Sequence, residues 1–480
     1  MLIPGGTSHM QEKGFPRSVK ATSEQDLLKL YSSDESDKSG VLPLGVAVPA
    51  SCEEVQDVVR WAVKHRVPLI PISSKGPRQY GDTLSDTPSV VLDLTEMKGI
   101  LNIDAADAVA IIEPGVTFEQ LDVSLEPHGL RSFRPLFVRN SKSVLAAFLD
   151  RSPITVPGRH WDCSDPMAAM EIIFGSGDLF RTGTAALPGS LKKKLELGNS
   201  MMYGMGPAHT DFGRVMQGSQ GTLGILTWAS LHCQRIPTIE TPYFISSNDL
   251  GSLTKFLYRH LRRRTEGQLF LMNGLQFKLL FGIELDSATV PSWVAYLELS
   301  SHDYFADEHM AFRKADLERD VKELQVEISE EIAGIDAADL PSIQKQHAFA
   351  TPVGVSNQKY QDVFCLSQLN RLPQHIEALS RRQLDDAAIY VQPLVHGVNA
   401  HLQFTYLNKN TNGRSLQNAS VEAAQCLADT GGFFSRPYYP WAHIPFERDT
   451  SIYSMLKKTK NLFDPAGILK PGSPALGGDL

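Results

Sequence analysis

Apolar residues along this chain fall into two rhythms, and the change from one to the other predicts the elements. Ser51 stands at capping-box spacing from Glu54, and Val55, Val58, Val59 and Ala62 then recur at i, i+3, i+4 and i+7, predicting an amphipathic helix to about Arg66. Short continuous apolar runs predict buried strands at Pro68-Leu69-Ile70-Pro71-Ile72, Val90-Val91-Leu92-Asp93-Leu94 and Val109-Ala110-Ile111-Ile112. Glu113-Pro114-Gly115 ends the last of these, and Thr117 with Gln120 caps a second helix carrying Phe118, Leu121 and Leu125. Met170-Glu171-Ile172-Ile173-Phe174 is a further strand candidate, turned by Gly175-Ser176-Gly177-Asp178, and a glycine-rich stretch at 218–227 closes this part. From about 241 to 440 the texture shifts to long helical patterns such as 312–332, whose charged positions read as a solvated face, so a second domain is placed there. Ser32-Ser33-Asp34-Glu35-Ser36-Asp37 has too little apolar content to pack and reads as a loop. No internal repeat is visible.

Composition sharpens this picture. With 480 residues, 42% of them apolar, the chain is long enough for two domains with separate cores. The longest apolar runs fall short of the roughly 20 residues of a membrane span, and the start lacks the charged-then-apolar layout of a secretory signal, so a cytoplasmic location without a membrane span is expected. Five cysteines, widely spaced and without a CxxC pair, suggest neither a disulfide framework nor a metal cluster. A net charge of -8 argues against a nucleic-acid partner. Lys192-Lys193-Lys194 and Arg262-Arg263-Arg264 are short basic runs that read as solvated charge before they read as a docking patch. Residues 1–40 form an N-terminal extension, of which 1–9 resemble a cloning scar.

Between two of the expected strands lies Ser73-Ser74-Lys75-Gly76-Pro77-Arg78-Gln79-Tyr80-Gly81. Small residues leave the main chain accessible, so several N–H groups can converge on an anion there. The loop is neither GxGxxG nor GxxxxGK[ST], which disfavours a nicotinamide site and a P-loop. Together with the helix before it, Val91 to Met97, Ile112 to Thr117, the 218–227 stretch and Phe463-Asp464-Pro465-Ala466-Gly467-Ile468-Leu469-Lys470-Pro471-Gly472, it resembles the vanillyl-alcohol-oxidase (PCMH-type) flavoprotein family in order and spacing, six strings in all. The resemblance implies an α+β fold: a PCMH-type FAD-binding domain of two α/β subdomains, with an inserted α+β cap domain carrying an antiparallel sheet. It places the FAD-binding domain at 41–240, the cap or substrate domain at 241–441, and a C-terminal segment, 442–480, returning to the first domain.

Within the family the loop looks most like the SxGRNxGYGG string of the para-phenol oxidisers, the vanillyl-alcohol oxidase and 4-cresol dehydrogenase type. Tyr80 and Gly81 match it; Lys75, Gly76, Pro77, Gln79 and Asp82 depart from it. The cofactor residues this implies are Ser73, Ser74, Lys75, Gly76, Pro77 and Tyr80 on the loop, and Gly218, Gly221, Thr222, Gly224 and Ile225 on the glycine-rich stretch. Pro77 removes one N–H from the cradle, while Lys75 offers a charge in its place.

Counting back from Met170 puts Asp162 on the acidic residue of the subgroup's YGDH string. Counting forward from Ser143-Val144-Leu145 puts His160 there instead, so both stand as acid/base candidates. Gly431-Gly432-Phe433-Phe434-Ser435-Arg436 resembles GWGEYR, with Arg436 kept and Ser435 replacing the tyrosine, so Tyr80 and Arg436 are expected to hold a phenolate. His401 falls on the second histidine of the histidyl-flavin members, which makes a covalent flavin bond one option and a pocket-lining histidine the other. The resemblance implies an FAD-dependent oxidase or dehydrogenase that takes hydride from a small alcohol or para-substituted phenol. The alternatives are a D-2-hydroxy acid dehydrogenase of the lactate or glycolate type, although the chain lacks that branch's GEHGIG metal string, and a non-catalytic electron-relay subunit. A cytochrome or an electron-transfer flavoprotein is a possible acceptor partner, a homo-oligomer is expected, and no metal is.

Overall fold

A computed structural model describes residues 10, 13–36, 38–78, 80–81, 83–159, 166–206, 211–264, 267–285, 289–302, 304–346, 359–408, 411 and 413–472. Its first half begins with a four-stranded sheet in which Val90–Asp93 lies between Gly45–Val48 and Leu69–Ile72, parallel to both. All four residues of Val90–Asp93 are buried, which is why this strand reads as a continuous apolar run. Leu69–Ile72 tolerates Pro71 because it lies at the sheet edge. The helix Cys52–His65 packs Val55, Val58, Val59 and Ala62 into the same core as Leu69, Val90 and Leu92. Its N-cap Ser51 accepts from the Glu54 N–H at 3.3 Å, but the Glu54 carboxylate returns to the N–H of Ala50 (2.8 Å), one residue short of a closed capping box. The second helix, Phe118–Leu125, does close the box, through Thr117 and Gln120.

A second sheet, antiparallel throughout, runs in the order Ile100–Asp104, Val109–Ile112, Gly224–His232, Met167–Phe174 and Leu179–Arg181. The short helices and loops between residues 113 and 156 cover it, with Phe118, Leu125, Val144 and Phe148 in its core. The C-terminal segment then returns to the first sheet: Leu469 bridges Leu69, with the Leu69 N–H donating to the Ile468 carbonyl at 2.7 Å. Buried Asp464 fixes this return by accepting from the N–H groups of Ile468 and Leu469 at 3.0 and 2.8 Å, and by pairing with Lys460 one helical turn earlier. A side chain at Gly175 would collide with Asp464 at 2.5 Å, so that turn must be glycine.

The remaining large sheet has seven strands, ordered Glu327–Ser329, Ile239–Ser247, Trp293–Ser301, Leu269–Asn273, Ala388–Leu394, Asn399–Leu407 and Tyr360–Ser367, with antiparallel neighbours. Alternation divides it cleanly. Ile245, Leu271, Leu297, Val391, Leu402 and Phe404 meet the helices Leu250–Arg262, Ala306–Leu324, Leu372–Ser380 and Leu416–Asp429. On the opposite face Phe244, Phe270, Met272, Tyr296 and Tyr390 pack with Leu136 and Phe137 of the first half. The helical run expected across 312–332 stops at Leu324. Gln325 turns left-handed (φ 54°), and the alternating β-branched Val326 and Ile328 carry the chain out as the sheet's outer strand.

The two basic runs are partly structural. Lys194 is buried and donates to the Ala185 carbonyl, and Arg263 pairs with Asp320. Cys52, Cys233, Cys365 and Cys426 are free thiols. Among the described residues no helix is long and apolar enough to cross a membrane, and no group of three His, Cys, Asp or Glu could hold a metal ion.

Candidate active site

A cleft of about 1680 Å³, counted to its open mouth, runs from the loop after Leu69–Ile72 to the inner face of the seven-stranded sheet. Its near end is built by that loop. Ser73, Ser74, Pro77, Arg78 and Tyr80 line it, whereas Lys75 and Gly76 do not. Ser74 Oγ accepts from the Ser143 N–H at 2.9 Å, and Ser143 Oγ donates to the Pro114 carbonyl at 2.6 Å while capping Val144–Leu149. The Glu-Pro-Gly turn, the helix cap and the loop are thereby tied to one another. Arg78 donates to the Ser74 carbonyl at 3.1 Å and lies 4.7 Å over the Tyr31 ring; Tyr31 in turn donates to Asp93. Arg78 and Lys142 both face the cleft, and neither has a carboxylate partner among the described residues.

From the glycine-rich stretch, Gly221, Gly224 and Ile225 reach the cleft wall, while Gly218 and Thr222 lie off it. Gly221 has φ 77°, and a Cβ there would stand 2.9 Å from the Pro71 ring, so only glycine allows this close approach. Thr222 Oγ1 donates to the Ser219 carbonyl at 2.6 Å, and the Thr222 carbonyl accepts from buried Lys460. Burial holds the Lys460 amine below the usual lysine range, with Asp464 opposing. Lys460 was not singled out from sequence, yet its spacing to Asp464, i to i+4, was a readable signal.

The far end belongs to the cap sheet and to residues 435–441. Arg436 is 9% exposed, donates to Ser152 Oγ at 3.4 Å, and stacks its guanidinium 4.3 Å over Phe364. It makes no ion pair among the described residues. Tyr80 sits in the left-handed region (φ 72°), and its hydroxyl crosses to the cap and donates to Asp362 Oδ2 at 2.7 Å. Thr405 donates to the other oxygen of Asp362 at 2.6 Å, and Trp441 donates to its carbonyl at 2.9 Å. The Tyr80 ring stacks on Tyr438 (5.0 Å, 25°), whose hydroxyl is tied to Asp150. Tyr390, also on the wall, donates to Gln392 at 2.7 Å. Burial first, then the Asp362 carboxylate, holds the Tyr80 hydroxyl well above the ordinary tyrosine range; Arg436 opposes this, as it does at buried Tyr390.

Arg436 and Tyr80 both line this end of the cleft, with the Tyr80 hydroxyl donating to Asp362. Asp362, Tyr390 and Gln403 were not singled out. His401 lies on the same sheet face, opposite Gln392 and Leu366, with its ring 5.6 Å from Phe364 and 6.2 Å from Tyr390, but off the cleft wall. Asp162 and His160 lie outside the described residues.

A small-residue loop, two cleft-facing cations without a carboxylate among the described residues, an apolar middle and a cationic aromatic end together define the class: an α+β protein with a cleft suited to a dinucleotide. Residues 43–183 match the FAD binding domain family. The D-2-hydroxyglutarate dehydrogenase of Stutzerimonas stutzeri (strain A1501) is 26% identical over 246 residues, 50% of this chain and 48% of that protein. The 4-cresol dehydrogenase (hydroxylating) flavoprotein subunit of Pseudomonas putida is 26% identical over 224 residues, 45% of this chain and 39% of that protein. A structure of 4-ethylphenol oxidase from Gulosibacter chungangensis in complex with isoeugenol superposes with a TM-score of 0.78 at 17% identity, covering 99% of this chain and 97% of that one. The chain spans about half the length of the curated relatives it matches. The fold is the PCMH-type FAD-binding fold, and the cofactor of its binding domain is FAD.

Proposed function

We propose that this protein is an FAD-dependent oxidoreductase acting on a small para-substituted phenol, with Arg436 as the anchor for the phenolic oxygen. The observation that carries the reading is Arg436 itself: a buried guanidinium on the cleft wall, flanked by Phe364, Tyr80 and Tyr390 and without a carboxylate partner among the described residues. An isolated buried cation calls for an anion, and aromatic walls favour an anion carried on a ring. A dicarboxylate would need a second cation at this end, whereas Arg78 and Lys142 lie at the loop end.

Ser73, Ser74, Arg78 and Lys142 suit the diphosphate of FAD, because serine hydroxyls and unpaired cations are the donors a phosphate needs. Bound FAD supplies a two-electron acceptor for hydride. The chain's own residues do the rest. Arg436 fixes one end of the substrate and favours its ionised form, which makes loss of hydride from the para substituent easier. Pro135, Leu136 and Phe137 keep the ring's surroundings apolar. Because His401 is 3% exposed and off the wall, its placement supports a noncovalent flavin. Yellow colour leaving the acid precipitate is the expected result, and retained colour overturns that point.

Anaerobic reduction tests the reaction. A 4-hydroxybenzyl alcohol or a 4-alkylphenol should bleach the flavin absorbance, with D-lactate and D-2-hydroxyglutarate leaving it unchanged. Bleaching by a hydroxy acid alone would establish the second reading, which the D-2-hydroxyglutarate dehydrogenase likeness favours and in which Arg436 holds a carboxylate. A flavin bleached by no candidate substrate, but by a protein partner, would end the enzyme reading.

A further inference from the structure

We propose that Asp362 is the terminal acceptor of the substrate's hydroxyl proton, delivered through Tyr80, while Arg436 holds the oxyanion left behind. The proposal rests on the phenol reading above. Tyrosine has one O–H to give, and that of Tyr80 points to Asp362 Oδ2 at 2.7 Å. As long as it does, Tyr80 can accept from a phenol in the cleft but cannot donate to a phenolate. The two requirements are met by one proton shift. The substrate O–H bond breaks and its proton bonds to the Tyr80 oxygen, while Tyr80's own proton passes to Asp362. Phenol, tyrosine and carboxylate become phenolate, tyrosine and carboxylic acid, and no electrons move. Tyr80 is then free to turn its hydroxyl toward the anion it has created.

The surroundings give the shift its direction. Asp362 is fully buried, with one oxygen fixed by Thr405 and the other facing Tyr80, so the carboxylate cannot swing away. Stacking on Tyr438 holds the Tyr80 ring, and Tyr438 is itself tied to Asp150. Among the described residues, the charged and titratable groups gathered here include Tyr80 on the loop, Tyr360 on Asp362's own strand, and Arg436 and Tyr438 on the segment at the far end of the cleft, with Asp150 behind Tyr438. Arg436, on the cleft side, favours the anion forming there. Asp362 acts through Tyr80 and is a positioning and proton-holding residue; it does not touch the substrate.

The test uses the flavin-loaded protein and 4-nitrophenol, which has no oxidisable para carbon and whose colour reports its ionisation. Wild type should bind the dye as phenolate at a pH where free dye is mostly neutral. Asp362→Asn and Tyr80→Phe should each move the ionisation of bound dye up by about one pH unit or more, a tenfold change in proton affinity. Thr405→Val, which removes a hydrogen bond from the carboxylate and so strengthens it as a base, should move it down. These opposite signs separate a relay from a mere clasp, and Thr405→Val with Tyr80→Phe decide the matter if Asp362→Asn fails to fold. Unchanged ionisation across the variants, or wild type binding neutral dye while phenols still bleach its flavin, overturns the relay and leaves the phenol reading intact. A wild type that neither binds the dye nor is bleached by phenols overturns the phenol reading and the relay with it.

Discussion

The two ends of the cleft are built on opposite rules. At the loop end short serine bonds fix the scaffold and the cations lack a counter-ion: Ser74 and Ser143 tie the loop to the helix cap and the Pro114 turn, while Arg78 and Lys142 face the cleft without a carboxylate among the described residues. At the cap end the tyrosine hydroxyls are committed to Asp362 and Gln392, and one cation, Arg436, stands among aromatic rings. The first arrangement suits a fixed, multiply charged group and the second a single charge on an apolar body. The contrast teaches that the ends should fail separately.

The largest effect should come from the support beneath the loop end. Lys460→Met would leave the Asp464 carboxylate buried without its cation and release the Thr222 carbonyl, costing about 3–5 kcal/mol. Thermal unfolding should show a marked loss of Tm together with loss of bound flavin. Next, Arg436→Met should lower kcat/KM for the phenolic substrate by about 100-fold, near 3 kcal/mol, with flavin content and Tm held near wild type. Loss of flavin in that variant would erase the distinction between the ends.

Glu298 lies away from both ends, at the seam where Arg131 reaches Glu240 at 2.5 Å and Glu298 at 3.6 Å. Burial first, then the neighbouring Glu240, pushes its carboxyl up to about 7, against the pull of Arg131. The folded chain therefore binds a proton that the unfolded chain has released, and stability falls as pH rises from the ordinary glutamate range to about 7. Glu298→Gln should remove that fall, gaining on the order of 2 kcal/mol at pH 8 and nothing near pH 4, as denaturant titrations at the two pH values would read. Neither flavin binding nor substrate turnover should change. Smallest of the four, Arg78→Gln and Lys142→Gln should each raise the FAD dissociation constant by about tenfold, roughly 1.4 kcal/mol, with the KM for substrate unaltered when flavin is saturating.

Sequence reading went furthest where the deciding forces were local. The helix Cys52–His65 follows from a 3.6-residue period and a serine cap, and Val90–Asp93 from a strand buried on both faces. The loop's flavin meaning came from six ordered strings, and the FAD-binding fold they implied is the one found. The far end resisted because its contacts span the chain. Asp362 sits in Tyr360-Gln361-Asp362-Val363-Phe364 with nothing local to mark it, and its partner Tyr80 lies 282 residues away. Resemblance alone assigned Tyr80 to the substrate; a buried carboxylate with first claim on its proton becomes visible only when the cap sheet is folded over the loop. The strand at Glu327–Ser329 was hidden for a simpler reason: charged residues at helical spacing masked the two β-branched positions that turn the chain outward.

The bridge between Leu69 and Leu469 also sets a timetable for synthesis. The seven-stranded sheet is complete once residue 407 has left the ribosome, whereas the flavin-binding half waits for Lys460 and Leu469 before Thr222 and its edge strand gain their partners. Newborn chain should therefore acquire its cap before it can retain its cofactor, so that truncation just upstream of Lys460 yields a colourless protein with a formed cap.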